Sequence, residues 1–529
     1  MNRKWFNGFF IATLILAMFT VIACEGITGP AGKDGKDGKE DQTGIYTVTF
    51  DLNGGRIEGN STIAIEKVVS GGKAHRPERI PVREAGYSEL LSGLYKTVKG
   101  LAPMAFNGWY YNNILWDFDA NTITENTTLR AGWIPADPID IGGTNIPAAV
   151  TYVNRNTESE FILVLDTTDD IILTSTQTIT GGAKLTIIGS TRVKNGNGPL
   201  INRRTPVRIS RNSNGASFTV SSSSYETGSS SLTIGNYITL AGRDSNNSSV
   251  INVTNGAHFI MERGSEISGN TITYNTYASA VNISGAGSTF HMKGGTITNN
   301  ATTGSGTSNY GAAVYLDTGG TFVMDDGLIS NNISTISIAA AVCIINGTFT
   351  MSAGEITGNR TRVTGTAATG GVYVTNLATS IFVMKGGSIT GNTRANTATG
   401  STVEADVHIN CNNSSNTDAN FITLSGRSTI GALTLEAYYS YFPHIKIPSA
   451  LTGSVGLNLR SNSTVPESVS SSWTGKPIVR TIAPYNITLS DIDRFTLGNF
   501  YTTDTATSLI SNTHSLNTTR TAAWLLDGI

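Results

Sequence analysis

Charge is scarce in this 529-residue chain. Asp, Glu, Lys and Arg together make up only 14% of it, and the formal net charge is -2; soluble domains usually carry ~25% charged residues. Such a chain lacks the basic footprint that nucleic acid requires, so no nucleic-acid partner is expected. There are three cysteines, too few for a disulfide framework. None of the six histidines (His75, His258, His291, His408, His444 and His514) pairs with another at metal-ligand spacing, and each reads as a satisfied surface residue. Glycine-rich calcium nonapeptides, phosphate loops and nucleophile elbows are all missing, so neither cofactor nor metal is expected. Beyond the first two dozen residues no apolar run is long enough to span a bilayer. Residues 524–529 follow no set of amphipathic strands of the membrane-barrel kind.

What is present begins with a leader. Arg3 and Lys4 precede an apolar run over residues 9–19, broken only by Thr13. This run is short and reads as a signal peptide. It ends in Val21-Ile22-Ala23-Cys24, which resembles the bacterial lipobox. The resemblance implies cleavage before Cys24 and lipidation of its thiol, and so a membrane partner reached through acyl chains. Each buried methylene of such a chain contributes ~0.8 kcal/mol. Glu25, rather than Asp, follows the cysteine, which under the lipoprotein rule implies the outer membrane and a surface-exposed protein.

Four further regions follow the leader (residues 1–24). In residues 25–43 glycine recurs every third position, at Gly26, Gly29, Gly32, Gly35 and Gly38. These triplets resemble collagen, but five with a single proline are too few for a stable triple helix. The segment reads as a hydrophilic tether, with a small trimerising segment as the alternative. In residues 44–134 aromatics and strand formers appear. Tyr46, Val48 and Phe50 alternate ahead of an Asn53-Gly54 turn. Phe106-Asn107-Gly108-Trp109-Tyr110, Trp116-Asp117-Phe118 and a closing run from Thr127 to Trp133 come after. These motifs resemble the internalin B-type (Listeria–Bacteroides) repeat, which implies a small β-grasp-like module serving as spacer or interaction unit. The middle, residues 87–101, is longer than in that pattern and is expected to hold a short helix. Residues 135–155 form a linker and an N-terminal cap: Thr144-Asn145 can start a helix with Pro147 in its first turn.

The rest is a repeat array. Phe259, Phe290, Phe322, Phe349 and Phe382 each stand two residues before a methionine. Each is followed by a Gly, an Ile and an Asn, the last at 270, 300, 332, 359 and 392. A Val-type strand precedes each phenylalanine, at 251–253, 281–283, 314–316, 342–344 and 372–374, and 407–409 continues the series. The period is near 30 residues, and each repeat holds three short strands. Strands so short cannot close a core alone, but stacked at ~4.8 Å they build ladders of Phe and Met. Each Asn sits at a turn, where its amide can bond the backbone and its counterpart in the next repeat. Such ladders are typical of parallel β-helices, which this array resembles. The expected class is therefore all-β: a right-handed parallel β-helix over residues 156–450, with diverged coils and a C-terminal cap over 451–529. The rod would be on the order of 55 Å long. From each Asn to the next Val the spacing varies between 10 and 15 residues, whereas Phe-to-Asn hardly varies. Insertions thus collect at one corner, where loops on a rigid scaffold can bind.

Parallel β-helices often host polysaccharide lyases and hydrolases, so a carbohydrate-active enzyme is the rival reading. It needs clustered carboxylates. Glu262, Lys293 and Asp325 align in successive repeats and read as an exposed charge ladder. Asp325-Asp326 is the only adjacent acidic pair in the repeats, and with Asp317 it would be the place to look for chemistry. Cys343 and Cys411 align to different positions, so no disulfide is expected. The outward residues of the Val strand include Tyr315, Cys343, Tyr373 and His408. Tyr315, Tyr373 and His408 would form an exposed ligand face, because aromatics can stack on sugar rings or on a protein partner. No catalytic residue is expected. The expected role is a surface protein binding a glycan or a neighbouring or host protein, with a structural or antigenically variable coat component as a further alternative.

Overall fold

The computed structural model describes residues 44–526 apart from 58–63, 86–89, 91, 98–101, 136, 143–144, 195–199, 203–204, 223–227, 274–277, 304–311, 365–366, 376–378, 397–400, 411–421, 438–441, 462–476, 503–504, 509–514 and 519–521. The leader, Cys24, the tether, Cys411 and His514 lie outside the described residues. What is described is nearly all β, with long parallel sheets. This arrangement is compatible with an all-β solenoid.

The phenylalanine strands stack in register. Phe259 pairs with Phe290, Phe290 with Phe322, Phe322 with Phe349 and Phe349 with Phe382, always parallel. They belong to a 14-stranded sheet. Their rings stack 5.2, 4.7, 4.6 and 5.0 Å apart, and Met261, Met292, Met324, Met351 and Met384 are all fully buried beside them. Ile422–Leu424, a degenerate repeat by sequence, takes the same place one layer on, with Ile422 opposite Phe382. The Val and Ile strands form two further parallel ladders. They merge at Thr429–Ala437, which pairs with Ile389 through Ile430 and with Val407 through Leu433. One apolar core runs through the whole stack, from Leu94 to Ala523.

The turn from the Met to the Ile strand explains its glycine. Gly354 and Gly387 sit at φ +90°, and a Cβ at either would lie 2.6 Å from the methyl of the methionine one repeat earlier. Backbone conformation and methionine packing therefore demand the same residue.

At the N-terminal end of the stack, the helix Ile146–Val153 begins at Asn145, whose Oδ1 accepts the Ala148 N–H at 2.7 Å. It buries Ile146, Ala149, Val150 and Val153 in the rod core. Before it, Ile45–Asp51 runs parallel to Thr127–Pro135 in a separate mixed sheet, and Phe50, Trp109, Phe118 and Leu129 fill a second core. Asn53 and Gly54 both have positive φ at the expected turn.

One expectation is corrected. Among the described residues the long middle of this region holds no helix. Instead Gly93–Thr97 is a strand, antiparallel to Glu160–Leu165 at the edge of the phenylalanine sheet. Leu94 enters the rod core, while Tyr95 packs with Met104, Ile162 and Val164 on the other side. Burial on both faces, together with the satisfied edge of the stack, outweighs any local helical tendency.

Candidate functional site

The expected ligand face is not exposed. Tyr315 and Tyr373 are each 3% exposed, Cys343 0% and His408 1%. The four do stack in register, Tyr315 opposite Cys343, Cys343 opposite Tyr373 and Tyr373 opposite His408. Alternation therefore places them on the outer side of the Val strand as expected. That side is covered, because the segment between each corner Asn and the next Val folds over it. Ala278 and Ala339 of these segments share one buried cluster with Tyr315, Cys343 and Tyr373. Short strands after the corner, such as Ala301–Thr302, Ile333–Ser334 and Arg360–Thr361, stack into a further parallel sheet. In it Thr302 and Ser334 are buried, and the Thr302 hydroxyl donates to that of Ser334 at 2.9 Å. The insertions form a second layer over the tyrosines. Changing Tyr373 to serine should therefore cost about 3 kcal/mol through the cavity it opens and the bond from Asn410 Nδ2 at 2.7 Å. Urea unfolding with circular dichroism checks this; a stability within 0.5 kcal/mol of the native protein, about the error of such a measurement, would contradict it.

His408 lies in a buried polar cluster rather than at the surface. Its ring stacks on Tyr373 at 5.5 Å, and its Nε2 lies 2.7 Å from Glu436 Oε2. The second Glu436 oxygen meets the Arg460 guanidinium. Burial pushes the His408 pKa down despite the Glu436 hydrogen bond, which pulls the other way. Burial also works to raise Glu436, but its bond to His408 and the charge of Arg460 win and hold it below the usual value. The arrangement is a neutral imidazole donating to a carboxylate that is ion-paired to arginine. Every group is enclosed, so its role is to fix the outer layer. Cys343 is a buried free thiol, which burial and the nearby Asp317 push well above its ordinary pKa.

The carboxylates of the enzyme reading are dispersed. Asp325 Oδ2 is 2.6 Å from His291 Nε2 and Asp326 Oδ2 is 2.6 Å from Arg263, while Asp317 accepts the N–H of Thr318. The His291 hydrogen bond lowers the Asp325 pKa, and the Gly327 N–H followed by Arg263 lowers that of Asp326. Glu262 is shifted up by burial against the opposing pull of Lys293.

A different carboxylate stands out. The asparagine ladder runs from 270 to 392, and each Oδ1 accepts both the main-chain N–H and the amide of the Asn one repeat earlier over the last three steps. It ends on Asp406. Its Oδ1 accepts the Asn392 N–H and amide at 2.8 Å each, and its Oδ2 accepts the Ala432 N–H at 2.9 Å. Burial, aided by nearby Glu404 and opposed by the Asn392 bonds, raises this carboxyl from 3.8 to about 7. A raised carboxyl favours the folded state below its unfolded pKa, and this contribution is lost as pH rises through about 7. The region around residues 392–432 should thus loosen between pH 5 and 8. The slope should vanish in Asp406→Asn, which has no charge to bury. Hydrogen exchange of the Asn392 and Ala432 amides across that range provides the measurement.

Sequence reasoning also missed a cleft in the N-terminal module. Asp51, Arg130 and Tyr110 line up across three neighbouring strands, on the face opposite the buried Phe50, Leu129 and Trp109. With Asn107, Asn113 and Trp133 they line an open cleft of about 600 Å³. Gly132 makes room for it: a Cβ there would lie 2.3 Å from the Tyr110 ring, so the tyrosine lies across bare backbone. Asn107 Nδ2 donates to the Tyr110 hydroxyl at 2.8 Å, and Arg130 Nε pairs with Asp51 at 3.2 Å. The lining residues are far apart in sequence; only the alternation of Tyr110 with buried Trp109 hinted at an outward aromatic.

Comparison with family models, with curated proteins and with solved structures gives no match to this chain.

Proposed function

We propose that this protein is an exported surface lipoprotein, anchored through Cys24 to the outer membrane, whose rod presents a surface for adhesion to a glycan or protein. In this reading the rod is a right-handed parallel β-helix, the commoner hand for parallel crossovers. The module before it is β-grasp-like, a likeness supported by the parallel pairing of its first and last strands. The lipid anchor rests on Val21-Ile22-Ala23-Cys24 at the end of an apolar leader.

One observation carries the binding role. Residue-for-residue register is kept from Phe259 to Phe382, while length varies only between the corner Asn and the next Val. A rigid scaffold with variation confined to one edge is the usual architecture of a recognition surface. The test is an array of glycans and extracellular-matrix proteins probed with the full chain, with reducing-sugar release followed on every glycan retained. Saturable retention without release supports the reading. Release of product replaces it with the enzyme reading, and retention of nothing leaves a coat component.

A further inference from the structure

Resting on that surface-binding reading, we propose that the cleft of the N-terminal module is a binding site for a neutral oligosaccharide. The site joins two chemistries that sugars require together. A pyranose offers a flat C–H face, which stacks on an aromatic ring, and a rim of hydroxyls that both donate and accept hydrogen bonds. Tyr110 supplies the ring. It lies across Gly132 on the solvent side of the sheet, with its hydroxyl tied to Asn107, so its position is set before a ligand arrives. Trp133 supplies a second aromatic wall. It is held from behind, its Nε1 donating to the Leu52 carbonyl at 3.2 Å and its ring filling the space where Gly55 has no side chain. Pre-set rings lose little entropy on binding.

The polar lining matches the hydroxyl rim. Asn107 and Asn113 bring amides, each with donor and acceptor atoms, and Asp51 and Arg130 bring a planar acceptor beside a planar donor. Because the latter two are paired with each other, the cleft carries no net charge from them, so an uncharged ligand fits better than a polyanion or a basic peptide. The volume of about 600 Å³ falls within the ~300–1,000 Å³ of small-molecule sites. The open mouth suits a segment of a longer chain. Asn112 and Asn113 hold the rim through a two-residue hairpin turn with φ of +48° and +64°. Such a turn tolerates glycine equally well, so their side chains can be removed without disturbing the fold.

The experiment uses the full chain in detergent micelles. It is passed over immobilised neutral oligosaccharides of glucose, galactose, mannose and N-acetylglucosamine, with heparin as a polyanion control, and the best-retained neutral sugar is titrated calorimetrically. Tyr110→Ala and Arg130→Gln should each weaken binding at least tenfold. The double change Asn112→Gly/Asn113→Gly should do the same with an unchanged near-ultraviolet circular dichroism spectrum, which guards against loss through misfolding. Retention of heparin alone, or neutral-sugar affinity equal in all three variants, overturns the cleft as the site. In the second case, or if only matrix proteins are captured, the surface-binding reading survives without it. If no ligand of any class is retained, both fall.

Discussion

Asn332→Ala should destabilise the rod by about 2–4 kcal/mol, although the side chain touches no ligand and lies wholly inside. Its Oδ1 accepts the Asn300 N–H and amide, each at 3.0 Å. Its amide donates to the Ile297 and Ser330 carbonyls and to Asn359 Oδ1. Alanine leaves the buried Asn300 N–H and at least one carbonyl without a partner, at ~1–3 kcal/mol for each. Asn332→Asp is the sharper test. It keeps the acceptor toward Asn300, but it turns the donor into a second oxygen facing the Ile297, Ser330 and Asn359 oxygens. At neutral pH the aspartate should therefore be worse than the alanine. Its deficit should shrink as pH falls, because a carboxyl with a raised folded pKa regains stability on protonation. Urea unfolding of both variants at pH 5 and 8 reads the order directly; an alanine variant as stable as the native chain would mean that the ladder is decorative. The chain itself carries aspartate at only one place in this line, Asp406, where three N–H groups and no carbonyl point at it.

How far the sequence exposes this structure depends on the range of the interaction behind each feature. Phe, Met, Gly, Ile and Asn recur at near-constant spacing because each must meet its own copy one layer on, so the register of the stack was legible from spacing alone. Asn145 and Pro147 marked the helix start because capping is local. Gly93–Thr97 was hidden because its partner, Glu160–Leu165, lies more than 60 residues away and nothing local distinguishes an edge strand from a short helix. The burial of Tyr315, Tyr373 and His408 was hidden for another reason. Alternation reports which side of a strand a residue takes, not whether a second layer covers that side. The available signal was the small residues Ala312-Ala313 and Ala339-Ala340-Ala341 just before the Val strands: side chains that small are needed where a folded-back segment packs closely. The cleft at Tyr110 draws on segments from Asp51 to Trp133 and follows from the sheet order, which spacing within one segment does not reveal.

The strongest single effect on the rod should come from Phe322→Ala, at about 3–5 kcal/mol. The ring is fully buried and sits 4.7 Å from Phe290 and 4.6 Å from Phe349. Its removal leaves a gap that neighbours fixed by main-chain pairing on both sides cannot close. Phe322→Leu should be much milder, since the protein itself sets Ile422 against Phe382 where the stack ends. The location of the damage is more informative than its size. In a stack of repeats each layer touches only its neighbours, so stability is a sum of local terms. Hydrogen exchange should accelerate at residues 290–292, 322–324 and 349–351, while Phe161–Leu165, several layers away and held by Gly93–Thr97 on one side and Lys184–Gly189 on the other, keeps its protection. Equal loss at Leu163 would show that the rod opens as one cooperative unit. The single apolar core running from Leu94 to Ala523, rather than nearest-neighbour stacking, would then set its stability.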